Sequence, residues 1–195
     1  MIFLIVVLII LGGIIIFLSF FNNKLDKNFK IGNNTSSQEI INYILNISSY
    51  EVQVEVEVNS NKNQNRYVIK QQYIEPDMEI QELIEPSNIA GVKLTRNGNQ
   101  LKIENSKLNL SSIFENYDYM GDNDLDLSCF IKDYKSDEQA SWREENNQII
   151  MTTKKEKEKN LWIDKTTGNP IKLEIKEKNE KTKVYILYNE VSINK

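Results

Sequence analysis

Tyr50-Glu51-Val52-Gln53-Val54-Glu55-Val56-Glu57-Val58 sets one aromatic and four valines in strict alternation with Glu and Gln. Successive side chains of a strand point to opposite faces, so this stretch reads as a strand with one buried and one solvated face. Such a strand needs neighbours, and the flanking sequence supplies them. Asn59–Asn65 holds no apolar residue and reads as a turn. Strands are expected at Arg66–Ile74 and at about Met78–Ile84, each stopped by or beside a Glu-Pro pair, Glu75-Pro76 and Glu85-Pro86.

Asn97-Gly98 is the pair preferred in a two-residue type I′ turn. With these two as the loop, Arg96 would face Asn99, Leu94 would face Leu101 and Val92 would face Ile103. Apolar residues then meet on one face, with Thr95/Gln100 and Lys93/Lys102 on the other.

Upstream, Ser36-Ser37-Gln38-Glu39 has the spacing of a capping box. Ile40, Ile41, Ile44, Leu45 and Ile47 follow at helical spacing, which predicts a helix over about Ser37–Ser48. Downstream, Leu110, Ile113, Phe114 and Tyr117 predict one short helix, and Leu127, Phe130, Ile131 and Tyr134 predict another. Strands resume at Gln139–Glu144, Gln148–Thr153, Asn160–Asp164, Ile171–Glu177 and Thr182–Ile193. Short hairpin loops between them make the sheet antiparallel. The fold class is α+β, mostly β: one large sheet of about 10–11 strands with helices covering one face.

Met1–Phe21 is of another kind, free of charge and almost wholly Ile, Leu, Val and Phe. As a helix it would extend ~32 Å, close to the ~30 Å hydrocarbon core of a bilayer. The expectation is a transmembrane anchor over residues 1–21, an uncleaved signal, a linker over 22–36 and the β-domain over 37–195. A cleaved signal is the alternative. Lys24, Lys27 and Lys30 follow the apolar segment, interrupted by Asp26, so the positive-inside rule by itself favours a cytoplasmic domain.

Composition excludes several chemistries. There is no His, which removes Ser-His-Asp and Cys-His nucleophilic sites and imidazole-held metals. Cys129 is single, so neither an internal disulfide nor a thiolate cluster can form. A net charge of −4 with mixed signs gives no basis for nucleic-acid binding. Asp122-Asn123-Asp124-Leu125-Asp126 begins like a calcium loop, but Leu127 stands where Gly is needed and Asp133 where Glu is needed. An acidic N-cap and first turn before Leu127–Tyr134 explains it better, and no metal is expected. No two carboxylates are singled out as a catalytic pair, since Glu51, Glu55 and Glu57 lie on the solvated strand face. Lys154–Lys159 reads as a solvated hairpin tip, with a rim contact to a partner or to lipid headgroups as the alternative. Cys129 reads as a small buried hydrophobe, and Trp142 and Trp162 as core residues. No enzyme activity and no cofactor are expected.

Leu161-Trp162-Ile163-Asp164-Lys165-Thr166-Thr167-Gly168-Asn169-Pro170-Ile171-Lys172-Leu173-Glu174 resembles the hairpin of the LolA-like, lipoprotein-carrier superfamily. The initial helix running into Tyr50–Val58 and the final Tyr188-Asn189-Glu190-Val191 resemble it too. Membrane-tethered Gram-positive members, the clostridial spore-germination lipoproteins of the GerS type, are the most similar. Unlike them, this chain has no lipobox Cys. The resemblance implies an incomplete, strongly curved antiparallel barrel with helices on its concave side. It also implies a place outside the cytoplasm, at the cell surface or in the spore intermembrane space. The implied role is non-catalytic: partner of a cortex-modifying N-acetylmuramoyl amidase needed for germination. A second reading is a carrier of a lipid or lipoprotein acyl chain. Its concave face would then be lined by Val52, Val54, Val56, Val92, Leu94, Leu101, Ile103, Trp142 and Trp162. An envelope-stress sensor ranks behind these, and a homodimer made by exchanging strands stays open.

Overall fold

A computed structural model of the chain describes residues 31–32, 35–60, 63–116, 124–176 and 183–194. The expected anchor over Met1–Phe21 lies outside the described residues, as do Tyr117, Asp122 and Asn123. Among the described residues, no helix is long and apolar enough to cross a membrane.

The chain opens with helix α1, Ser37–Leu45. Ser36 caps it: its hydroxyl accepts from the Glu39 N–H while the Glu39 carboxylate accepts from the Ser36 N–H. This reciprocal pair satisfies two of the N–H groups that a helix start leaves open. Ile40, Ile41 and Ile44 are buried on one face, as their spacing requires.

Six strands follow as a meander: β1 (Ser49–Asn59), β2 (Gln64–Ile74), β3 (Met78–Glu85), β4 (Val92–Asn97), β5 (Gln100–Asn105) and β6 (Leu110–Phe114). Helix α2 spans Leu127–Ser136. A second meander completes the chain: β7 (Ser141–Glu145), β8 (Gln148–Thr153), β9 (Glu158–Asp164), β10 (Pro170–Lys176) and β11 (Lys183–Ile193). All eleven strands form one antiparallel sheet, ordered β6-β5-β4-β3-β2-β1-β11-β10-β9-β8-β7. The meanders meet only where the first strand pairs with the last, Val54 opposite Tyr188 and Val56 opposite Ile186. The sheet stays open, with β6 and β7 as its free edges.

One face of the sheet carries the core. Val52, Val54, Val56, Ile149, Met151, Leu161, Ile163, Leu173 and Ile186 pack there with Ile40, Ile41 and Ile44 of α1 and Leu127 and Phe130 of α2. Each pair of flanking strands contributes every second residue, which is the period read from Tyr50–Val58.

Three expectations need correction. Leu110–Phe114 is a strand, not a helix: five residues are too few to hold a helix alone, and pairing with β5 satisfies their backbone on one side. The chain therefore has six strands, one helix and five strands after α1, in place of five, two and five. The β4–β5 loop is Gly98-Asn99, not Asn97-Gly98. Gly98 sits at φ +54° in the first loop position, where a II′-type hairpin takes glycine. Leu94 thus faces Ile103, and Leu101 faces Arg96. The shift is by two residues in pairing, so every side chain keeps the face that was expected for it. By contrast, Asn146 and Asn147 both have positive φ, +50° and +62°, as a type I′ loop between β7 and β8 demands.

Candidate functional site

The core-side face of the sheet divides into three zones. Under the two helices it is apolar and closed: Phe130, Ile40, Ile44, Met151 and Leu161 have no exposure. Val52, Val54 and Val56 belong to this zone at 2% exposure or less.

Toward β6 the character changes. Cross-strand pairing places Tyr50, Tyr73, Glu79, Arg96, Leu101 and Phe114 in one row. Val52, Gln71, Gln81, Leu94, Ile103 and Ser112 form the next. Polar residues on a buried face require partners, and the start of α2 provides them. Gln71 Nε2 donates to the Leu125 carbonyl at 3.1 Å, and Gln81 Nε2 to Asp126 Oδ1 at 2.7 Å. Arg96 spans Glu79 at 2.5 Å and Asp126 at 3.1 Å, and the Ser128 hydroxyl donates to Glu79 at 2.5 Å. Asp126 stands at the N-cap of α2, as its sequence position suggests. Its side chain makes no capping bond, because it is turned onto the sheet. Two buried oxygens, Gln71 Oε1 and Tyr188 Oη, have no hydrogen-bond partner. Burial pushes the Tyr188 phenol well above its ordinary pKa, with the Asp126 charge adding to the effect.

Beyond this polar seam lies a half-buried strip, Val92, Leu94 and Ile103, with Leu101 closed at 1% exposure. It ends at edge strand β6, where Leu110, Ile113 and Phe114 are 62%, 56% and 42% exposed.

The tryptophans are not core residues. Trp142 pairs with Met151 and shares the core-side face, but on edge strand β7 it is 41% exposed. Trp162 lies on the opposite face, since its neighbours Leu161 and Ile163 take the core positions. There the Lys172 ammonium sits 3.8 Å from its ring centre, an attraction between cation and ring quadrupole. Trp162 therefore does not line the concave face with Val52, Val54, Val56, Leu94 and Ile103.

A second polar centre anchors α2 to β9. Lys159 is 2% exposed, and its ammonium contacts Asp124 at 2.5 Å, Asp133 at 2.6 Å and Cys129 Sγ at 3.6 Å. Lys157 reaches Asp124 from the same turn at 2.5 Å. Burial acts to lower the Lys159 pKa, and the bonds to Asp124 and Asp133 outweigh it, holding it above the ordinary lysine value. Asp124, Cys129 and Asp133 place ligand atoms within 4.8 Å of one another. The chain's own ammonium sits among them, so this is an ion-pair centre. The Lys154–Lys159 run is thus a solvated tip only in part, because its last residue enters the core face of β9. On the other face, Glu51 and Glu55 pair with Lys70 and Arg66 across β1 and β2.

A cleft of about 470 Å³ opens beside Ser49, Glu51, Gln72, Ile74, Glu190 and Ser192, and its lining is mixed in polarity. No cluster of nucleophile, base and orienting group is found among the described residues.

No family model matches the chain, and no curated protein matches it. Solved structures are similar in chain course. A structure of the CwlD amidase from Clostridioides difficile in complex with the GerS lipoprotein matches over 82% of this chain and 96% of the other, at 22% identity and a TM-score of 0.49. A LolA superfamily protein from Nitrosomonas europaea matches over 81% and 93%, at 11% identity and a TM-score of 0.43. MucB in complex with MucA(peri) matches over 81% of this chain and 56% of that one, at 12% identity and a TM-score of 0.43. In fold the chain resembles the LolA-like proteins. At these identities the likeness is one of fold alone.

Proposed function

We propose that the chain is a non-catalytic binding protein acting outside the cytoplasm, an accessory partner of a spore-cortex-modifying N-acetylmuramoyl amidase. Met1–Phe21 would tether it to the membrane. The observation that carries this reading is where the exposed apolar surface lies. The helix-covered face is packed closed, whereas Trp142 stands 41% exposed on free edge β7, beside exposed Arg143. Trp and Arg are the side chains that most often dominate protein interfaces, and an unpaired edge offers backbone donors and acceptors to a partner strand. The amidase itself comes from the resemblance of the Leu161–Glu174 hairpin.

Affinity purification of the tagged chain from sporulating cells tests the proposal. The amidase should be retained by the native chain and lost with Trp142→Ala, whose fold is checked by circular dichroism. Absence of any amidase with the native chain refutes it.

The half-buried Val92, Leu94 and Ile103 strip favours a second reading, binding of an acyl chain beyond the polar seam. A fluorescent fatty acid would then bind the native chain and be lost with Leu94→Lys.

A further inference from the structure

Edge strand β6 differs from every other strand in having no charged residue while all five of its residues are exposed. One side pairs with β5; no described strand pairs with the other. Natural edge strands are guarded by charge, proline or a bulge, and Leu110-Ser111-Ser112-Ile113-Phe114 has none of these. Its apolar side chains point to both faces, Leu110 and Phe114 to the core side and Ile113 to the other, with Leu108 65% exposed in the turn before them. An occupant must therefore approach edge-on.

A lipid surface does not fit. The outward N–H and C=O groups of β6 need hydrogen bonds that hydrocarbon cannot supply. A polypeptide strand can supply them. The other free edge, β7, is a poor match, since it carries Arg143, Glu144 and Glu145, and Glu144 already holds Ser37 and Lys165. Pairing β6 to β7 of another copy would also be head-to-tail and would not close.

We propose that β6 pairs antiparallel with β6 of a second copy of this chain, around a twofold axis at Ser112. An axis normal to the sheet keeps core sides together and sets Leu110 opposite the partner's Phe114, Ser111 opposite the partner's Ile113, and Ser112 opposite itself. Apolar residues are shared between the copies and no charge meets its like. The contact is isologous, so it stops at two copies and joins both sheets into one. This goes beyond the amidase reading and uses the opposite edge, so the two can fail separately.

The full chain in detergent micelles is examined by analytical ultracentrifugation. A dimer is expected, weakened about tenfold or more by Ser112→Lys, which sets like charges face to face. Because the apolar N-terminal segment could also associate, a register test accompanies it. Under mild oxidation Ser112→Cys should yield a covalent dimer, while Ser111→Cys and the native chain, whose Cys129 is buried, should not. A monomer at all concentrations overturns the proposal. So does a dimer indifferent to Ser112→Lys, equal cross-linking at 111 and 112, or β6 found paired with a different protein's strand. Amidase retention by the Ser112→Lys chain would leave the proposed function standing whichever way β6 behaves.

Discussion

Two buried polar side chains point to opposite outcomes on substitution. Lys159 is nearly inaccessible and neutralises Asp124 and Asp133. Lys159→Ala leaves both carboxylates without their counter-ion and should lower stability by about 3–5 kcal/mol, read as a drop in the urea midpoint. Tyr188 has a buried hydroxyl without a partner, so Tyr188→Phe removes a group that was desolvated for no return. Its unfolding midpoint should equal or exceed the native one; a clear fall would mean the hydroxyl does hold a partner. Lys159 was legible in the sequence and easily passed over. It precedes Leu161 and Ile163 at the two-residue period of the core face, and the charge run around it hides that phase. The Tyr188 hydroxyl gives no such signal, because tyrosine at a core position is ordinary and only the completed packing shows what its oxygen meets.

Among the elements, those with a long, clean period were readable from their residues alone. Tyr50–Val58 and Leu127–Tyr134 each show one face, and the capping box marks where α1 begins. Strand β6 was not, since Leu110, Ile113 and Phe114 have helical spacing over five residues and only the β5 ladder decides their conformation. The polar seam was illegible for a related reason. Gln71, Gln81, Glu79 and Arg96 interrupt the apolar pattern of β2, β3 and β4, and their partner Asp126 is 30 or more positions away along the chain. Asp126 is spent on the sheet instead of on the end of its own helix. Asp126→Ala should therefore cost about 3 kcal/mol, well above the ~1 kcal/mol of an ordinary lost cap, because Gln81 and Arg96 lose a buried acceptor. Ser36→Ala, at a cap that does its usual work, supplies the comparison at about 1 kcal/mol in the same thermal or urea melt.

For the whole domain, charge pairing sets a pH range. Hydrogen bonds from Thr153 and the Lys154 N–H hold Asp137 below its ordinary 3.8, and those from Lys165 and Ser37 hold Glu144 below its ordinary 4.5. For Asp124, burial acts upward and the bonds from Lys157 and Lys159 outweigh it. Depressed carboxyls contribute stability above their unfolded values and lose it as pH falls through the folded ones. The raised Lys159 contributes fully below the ordinary lysine 10.5 and loses its share only as pH rises further. The melting temperature should thus be flat near neutrality and fall in acid from about pH 4.5 downward; an acid-insensitive melt would count against these pairings. The junction of β1 with β11 has a consequence of another kind, in time. Residues 49–59 wait for residues 183–193, so a chain delivered from its N-terminus holds an unfinished hydrophobic face until nearly its last residue has emerged. Pairing over such a separation is slow. During synthesis and export the first meander is therefore a client for chaperones, and a stop codon anywhere before Lys183 leaves a product with nothing to close on.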